Sequence, residues 1–219
     1  MRKTLIITLL LTLVSTTMMA QTPKTKYEKL DFYLIPRAGI TINNFTDVKG
    51  KIRPGIVIGG MVEAFITPRL AVDMDIHFTT QGCNDCKWKH TITYAQSGET
   101  TVERGSRNYR LRYLNTAYLI RYYLNDDLSV YTGLNMGRLV FARYTERHGG
   151  QTHSCKNYFH NGDVAFPVGV TYDINKWSFD ARYNITTRRI TNATISKALL
   201  HNSRNSTFMF TLGYKCRMF

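Results

Sequence analysis

The sequence predicts an all-β chain: an eight-stranded, antiparallel, up-and-down barrel that crosses a membrane. Three observations predict it. The stretch from Leu70 to Phe78 (LAVDMDIHF) alternates without a break, with Leu70, Val72, Met74, Ile76 and Phe78 on one side and Ala71, Asp73, Asp75 and His77 on the other. A period of two marks a strand with two unlike faces. Seven further stretches read as strands, the second with a mixed inner face of Val57, Gly59, Met61, Glu63 and Phe65, and the connections between the eight switch strictly between long polar loops and turns of two or three residues. Membrane barrels sort their connections like this, with short turns at the periplasmic end and long loops outside. Finally, no stretch approaches the roughly 18–20 apolar residues of a spanning helix. A chain without such a helix can still cross a bilayer as a closed barrel, because lipid cannot satisfy an open sheet edge. A secreted lipocalin-like barrel or β-sandwich is the alternative, but it has no reason to sort its loops by parity.

The chain opens with Arg2 and Lys3, an apolar run from Leu5 to Val14 and small polar residues up to Ala20. This reads as a secretory signal over residues 1–20, cleaved after Ala20, although Met18 stands where a small residue is usual. No Cys follows the run, so a lipid anchor is not expected. Residues 21–31 (QTPKTKYEKLD) are polar and read as a flexible lead-in to a barrel domain over 32–219. The net charge of +14 falls to +12 without Arg2 and Lys3.

The first strand starts at Phe32 and runs to about Phe45, with Arg37, Gly39, Thr41 and Asn43 on its polar face. Pro36 is tolerable near a strand start. A loop over 47–54 leads to the second strand, about 55–66, which carries Glu63 among its inward residues. Thr67-Pro68-Arg69 turns into the third, Leu70–Phe78, and a long polar segment spans 81–108. The fourth strand covers 109–124 with Arg121 facing inward, and Asn125-Asp126-Asp127 turns into the fifth, 128 to about 142. After a polar loop to 162 comes the sixth (163–174), a two-residue turn at Asn175-Lys176, and the seventh (177–185) with Asp180 and Arg182 inward. A last polar loop ends near 204 and the eighth strand closes the chain. Its outward set is Phe208, Phe210, Leu212, Tyr214, Cys216 and Met218, so terminal Phe219 has the wrong parity; either a bulge or a tail from Lys215 onward is expected.

At the seventh strand, Phe179-Asp180-Ala181-Arg182-Tyr183-Asn184 with Ile190 beyond it resembles the penultimate strand of the PorT-like outer-membrane β-barrel family. The resemblance extends to Ala38-Gly39, to Gly82 after the third strand, to Tyr113-Leu114 and to Leu212-Gly213-Tyr214, and covers roughly residues 32–216. It implies an eight-stranded, non-enzymatic barrel in the outer membrane of a Gram-negative bacterium. The family's namesake serves type IX secretion, which makes a role as an accessory of protein secretion or envelope assembly an expectation here.

Three constellations could carry chemistry. Arg37, Glu63, Asp73, Asp75, His77, Arg121, Asp180 and Arg182 all point into the lumen by parity. Eight strands leave an interior just filled by side chains, where charges must be paired. A polar plug of ion pairs is the expectation. A narrow ion-conducting path, as in a small porin-like channel, is the alternative. A rim enzyme using Asp73, Asp75 and His77 as acid and base is less favoured, since they are successive inward positions with no nucleophile beside them. The second constellation is Cys83 and Cys86 (CNDC) with Cys155 in the next loop. At an exported face, a disulfide is the default, either Cys83–Cys86 or one of them with Cys155. A zinc site with His90, His148, His153 or His160 is the alternative, and no metal or cofactor is expected. Cys216, at the opposite end, should be a free thiol.

The third constellation is charge. The four long loops (47–54, 80–109, 143–163, 186–205) hold 14 Lys and Arg against 6 Asp and Glu, and the last contributes Arg188, Arg189, Lys197 and Arg204 with no acid. A basic outer rim of this kind suits the phosphates of lipopolysaccharide, because basic residues gain roughly 1 kcal/mol each at an anionic surface. The expected partners are outer-membrane lipid and lipopolysaccharide, the barrel assembly machinery and secretion or envelope proteins. Nucleic acid is not expected.

Overall fold

Each alternating stretch forms a strand, and the eight close on themselves. The structure is a computed structural model that describes residues 26–46, 48–93, 100–146, 150–190 and 203–218. The expected signal segment, His148, Lys197 and Phe219, as well as the side chain of His90, lie outside the described residues. In chain order the strands are β1 (Phe32–Phe45), β2 (Arg53–Thr67), β3 (Leu70–Thr93), β4 (Thr100–Tyr123), β5 (Leu128–Glu146), the short β6 (Thr152–Ser154), β7 (Gly162–Ile174), β8 (Trp177–Thr186), β9 (Asn205–Tyr214) and β10 (Cys216–Arg217). All pairings are antiparallel, and β1 meets both β2 and β9, which closes the ring.

The register fixes how far the strands lean. From Phe32 the partners run to Ala64, Val72, Ile120, Thr132, Val168, Tyr183 and Phe208, and return to β1 at Ile42, ten residues beyond the start. Such a stagger goes with strands tilted by about 35–45°, so roughly 9–11 residues suffice to cross the hydrocarbon layer. The outward row supplies the apolar band: Ile40, Ile58, Ile76, Leu114, Met136, Val168, Ile185 and Phe210 are all exposed. Aromatic side chains gather toward its two edges. Trp177 and Tyr214 meet edge to face at 5.1 Å beside the short turns, and Tyr183 leans on Phe208 at 4.4 Å toward the other end.

Three expectations are corrected. The segment 81–108 is not a plain loop, because β3 and β4 stay paired far past the band, from Cys86 opposite Arg107 to Thr93 opposite Thr100. Alternation vanishes there because water wets both faces, while the backbone pairing persists. Between Phe78 and Thr93 the hairpin climbs about 50 Å along the strand at roughly 3.4 Å per residue. Second, the lead-in 21–31 is not free over its described part. Leu30 donates its N–H to the Phe65 carbonyl, Phe65 donates back to Asp31, and Tyr27 is fully buried. Third, Lys215 begins neither a bulge nor a tail. Leu34 faces Cys216 in the same register that pairs Ala38 with Leu212, so the strand continues through Arg217.

Candidate functional site

The lumen is stacked in layers along the barrel axis. At the short-turn end Tyr27 stacks on Phe65 at 4.3 Å, with Tyr123 and Tyr33 completing an aromatic lid. This lid exists because the lead-in folds back into the mouth. Above it sits the first ionic cluster. Arg121 contacts Asp73 at 2.8 Å and Glu63 at 3.1 Å. Lys215 reaches across from the last strand to Glu63 at 2.9 Å and to Asp173 at 2.6 Å, and donates to the Tyr123 hydroxyl at 2.7 Å.

A second cluster lies above the first. Asp75 is gripped by Arg37 and, at 2.8 Å, by Arg182, with His77 Nδ1 at 3.0 Å. Asp180 lies 3.5 Å from Arg37, accepts from the Tyr131 hydroxyl at 2.6 Å and from Thr171 at 3.0 Å. Tyr131 joins the two clusters, because its ring lies 4.6 Å from the Arg121 guanidinium and 5.1 Å from that of Arg182. Arg121 also donates to Thr171 at 2.7 Å. Hydrogen bonds then pass to neutral groups: Asn115 donates to Thr79 at 3.0 Å, as does Gln81, and Asn205 donates to Gln81.

All eight lumen residues named from parity are therefore buried in the interior, and they fall into these two clusters rather than one. Asp73 is separated from Asp75 and His77, since it pairs with Arg121 while they pair with Arg37 and Arg182. Sequence reasoning missed Lys215, Asp173, Tyr131 and Tyr27. The signal for Asp173 and Tyr131 was available, because both have inward parity on their strands. Lys215 was hidden by the assumption that the strand fails there, and Tyr27 by the polarity of its neighbours.

The outer end is closed by an apolar cap of Phe45, Tyr109, Leu111, Tyr113, Leu139, Phe159 and Ile190 around the cysteines. Cys83 and Cys86 form a disulfide, and Cys155 is a free buried thiol in the same cluster. As a disulfide, Cys83 and Cys86 offer no thiolate pair to zinc. Burial pushes the Cys155 thiol up to about 12, so it stays protonated and inert near neutral pH. Burial raises Tyr109, beside it, to about 12 as well. Cys216, at the other end, is also free and partly exposed.

Of the basic rim, Arg188, Arg189 and Arg204 are exposed; Arg188 approaches His160 Nδ1 at 3.4 Å, and the Arg204 backbone N–H is held by Thr46. Arg107 is pinned between Trp88 at 4.9 Å and Tyr144 at 4.5 Å, and pairs with Glu146 at 2.9 Å.

Comparison with known proteins agrees with this architecture. The family model described as the outer membrane protein beta-barrel domain matches residues 6–215. Among solved structures the chain is similar to Ail, the attachment invasion locus protein of Yersinia pestis, at 11% identity over 86% of this chain and 99% of that one, with a TM-score of 0.43. It is similar to Neisserial surface protein A at 14% identity, over 84% of this chain and 97% of that one, with a TM-score of 0.42. Its likeness to OprG from Pseudomonas aeruginosa is 13% identity over 87% and 98% of the two chains, with a TM-score of 0.40. No curated protein matches the chain. With a family match across nearly its whole length and a closed ring of eight strands, the chain belongs to the outer membrane protein beta-barrel domain family, as a barrel of the Gram-negative outer membrane.

Proposed function

We propose that the protein is a non-conducting, non-enzymatic barrel that anchors a tall hairpin and a basic rim at the cell surface, acting as a structural or interaction protein. The observation that carries this reading is the set of ion pairs spanning the lumen. Lys215 on the last strand ties to Glu63 on β2 and Asp173 on β7, and Arg182 on β8 ties to Asp75 on β3. Ions crossing the barrel would have to break paired charges in a medium where an unpaired charge costs several kcal/mol. Asp75 is similarly occupied by two guanidiniums, and His77 lies against that same carboxylate, both buried in the lumen, which supports a structural role over acid–base catalysis.

Reconstituted in a planar bilayer, the barrel is expected to give no stable conductance; steady single-channel steps would replace this reading with that of a small channel. The exposed Arg188, Arg189 and Arg204 support lipopolysaccharide as the surface the rim meets. The resemblance of strand β8 to PorT-like proteins supports an accessory role in protein secretion or envelope assembly, with export through a signal cleaved after Ala20 and insertion by the barrel assembly machinery. Isolation of the tagged protein from outer membranes after mild crosslinking is expected to bring secretion or envelope components with it. A solitary barrel would remove the accessory role and leave a surface protein.

A further inference from the structure

We propose that the outer wall of β4 and β5, immediately above the apolar band, is a binding site for the phosphorylated headgroup of an outer-leaflet glycolipid, with Arg110, Arg112, Arg138 and Arg143 as the phosphate ligands. The proposal rests on the reading that the long-loop end faces away from the cell. All four side chains are exposed on the outside of the wall. Arg110 stands directly opposite Arg143, Arg112 opposite Phe141 and Arg138 opposite Leu114. Like charges directly opposite each other destabilise a strand pair. Among the described residues no carboxylate forms an ion pair with any of the four. The cluster therefore gives the fold no ion pair among the described residues, and an anion bound there relieves the opposition of Arg110 and Arg143.

The cluster is built by an irregularity. Tyr113 faces Leu139, but Arg112 faces Phe141, so Val140 is an extra residue on β5. With strict alternation from Leu139, both Phe141 and Arg143 would point into the lumen. The bulge turns them out, and bulges commonly re-aim side chains at functional sites. Phe141 then lies between two guanidiniums, 4.3 Å from that of Arg143 and 5.3 Å from that of Arg112. Cation–π contact of this kind orients the planar forks and leaves their N–H edges free.

Height identifies the ligand. On the antiparallel strands β4 and β5, Arg112 stands two residues before the outward Leu114 and Arg138 two residues after the outward Met136, both on the long-loop side. Leu114 is 47% exposed and Met136 43%. Two residues are about 7 Å of strand, which sets the guanidiniums at the boundary between acyl chains and headgroups. A lipid with phosphates on its sugar headgroup matches both halves of the wall: bidentate phosphate contacts to arginine and acyl chains along Leu114 and Met136.

The folded barrel in a non-ionic detergent, titrated with diphosphoryl lipid A and followed by native mass spectrometry, tests this. Wild type is expected to retain the lipid, and R112Q/R138Q to bind it about tenfold or more weakly, while R69Q/K176Q, two exposed charges at the short-turn end, keeps the affinity. Because neither Arg112 nor Arg138 has an ion-pair partner among the described residues and both are exposed, R112Q/R138Q should unfold at a midpoint close to that of wild type, which separates binding from a structural role. F141L, which loosens two of the forks without removing a charge, should give an intermediate loss. Undiminished binding by R112Q/R138Q would overturn the site, and so would equal occupancy by inorganic phosphate alone, which would make it a free-anion site. An epitope inserted after Gly150 and detected on intact cells, together with absent lipid binding, would sink the site and leave the membrane orientation standing. Detection only after lysis would sink the orientation and the site with it.

Discussion

Asp75→Ala is expected to destabilise the barrel by about 3–5 kcal/mol, the range for breaking a buried ion pair by removing one partner. Asp75 is the common partner of Arg37, Arg182 and His77, and its side chain is fully buried. Its loss leaves two guanidiniums in a closed space with only Asp180, 3.5 Å from Arg37 and 4.0 Å from Arg182, to balance them. Neither can reach water, since both are themselves enclosed. The measurement is a urea titration in detergent or lipid, with the folded fraction read from gel mobility of unboiled samples. Lys26→Ala is the control: its pair with Asp127, 3.2 Å apart, is half open to solvent and should contribute less than about 1 kcal/mol. If Asp75→Ala shifts the midpoint no further than Lys26→Ala, the ionic clusters do not hold the lumen shut.

Gly169→Ala is expected to cost about 2–4 kcal/mol, a large effect for one methyl group. Gly169 is paired with Tyr131 across β5 and β7, and a Cβ at residue 169 would land on the Tyr131 ring and hydroxyl. The ring lies over the glycine because no side chain keeps it away, an arrangement that recurs where an aromatic covers a strand glycine. Moving Tyr131 breaks its 2.6 Å bond to Asp180 and the 2.8 Å bond it accepts from Arg182. It also withdraws the aromatic face from Arg121. Overpacking and two lost hydrogen bonds to charged groups add to the stated range. A double-mutant cycle checks the cause. In a Tyr131→Ala background the same Gly169→Ala change should cost under about 1 kcal/mol, because the clash is gone. Equal costs in both backgrounds would place the effect in the β7 backbone instead.

Asp75 and Gly169 are unequally legible in the sequence. Asp75 could be placed inside from the sequence, because Asp73, Asp75 and His77 are successive polar positions in an otherwise apolar strand. Gly169 could not be singled out, since its importance comes from a neighbour 38 positions earlier in the chain that the sheet sets opposite it. The basic wall shows the same contrast. Arg110, Arg112, Arg138 and Arg143 are visible as charges at strand ends, but their grouping depends on one extra residue at Val140, and a bulge leaves no mark in the alternation.

By itself the sequence determined the eight strands of the ring, the inside and outside of each and the end of the barrel that carries the long connections. These are local properties: the pleat has a period of two, and lipid and lumen demand opposite polarities on its two faces. Tertiary structure alone decided which charges meet. Lys215 finds Glu63 and Asp173, and Arg182 finds Asp75, only after eight tilted strands have closed with a stagger of ten residues. It also decided that the polar segment after Phe78 remains a paired hairpin and that Tyr27 caps the inner mouth. The physical reason is the same in each case. Pairing across a lumen and pairing above a membrane are set by the geometry of closure and by backbone hydrogen bonds, and neither requires any pattern among neighbouring side chains.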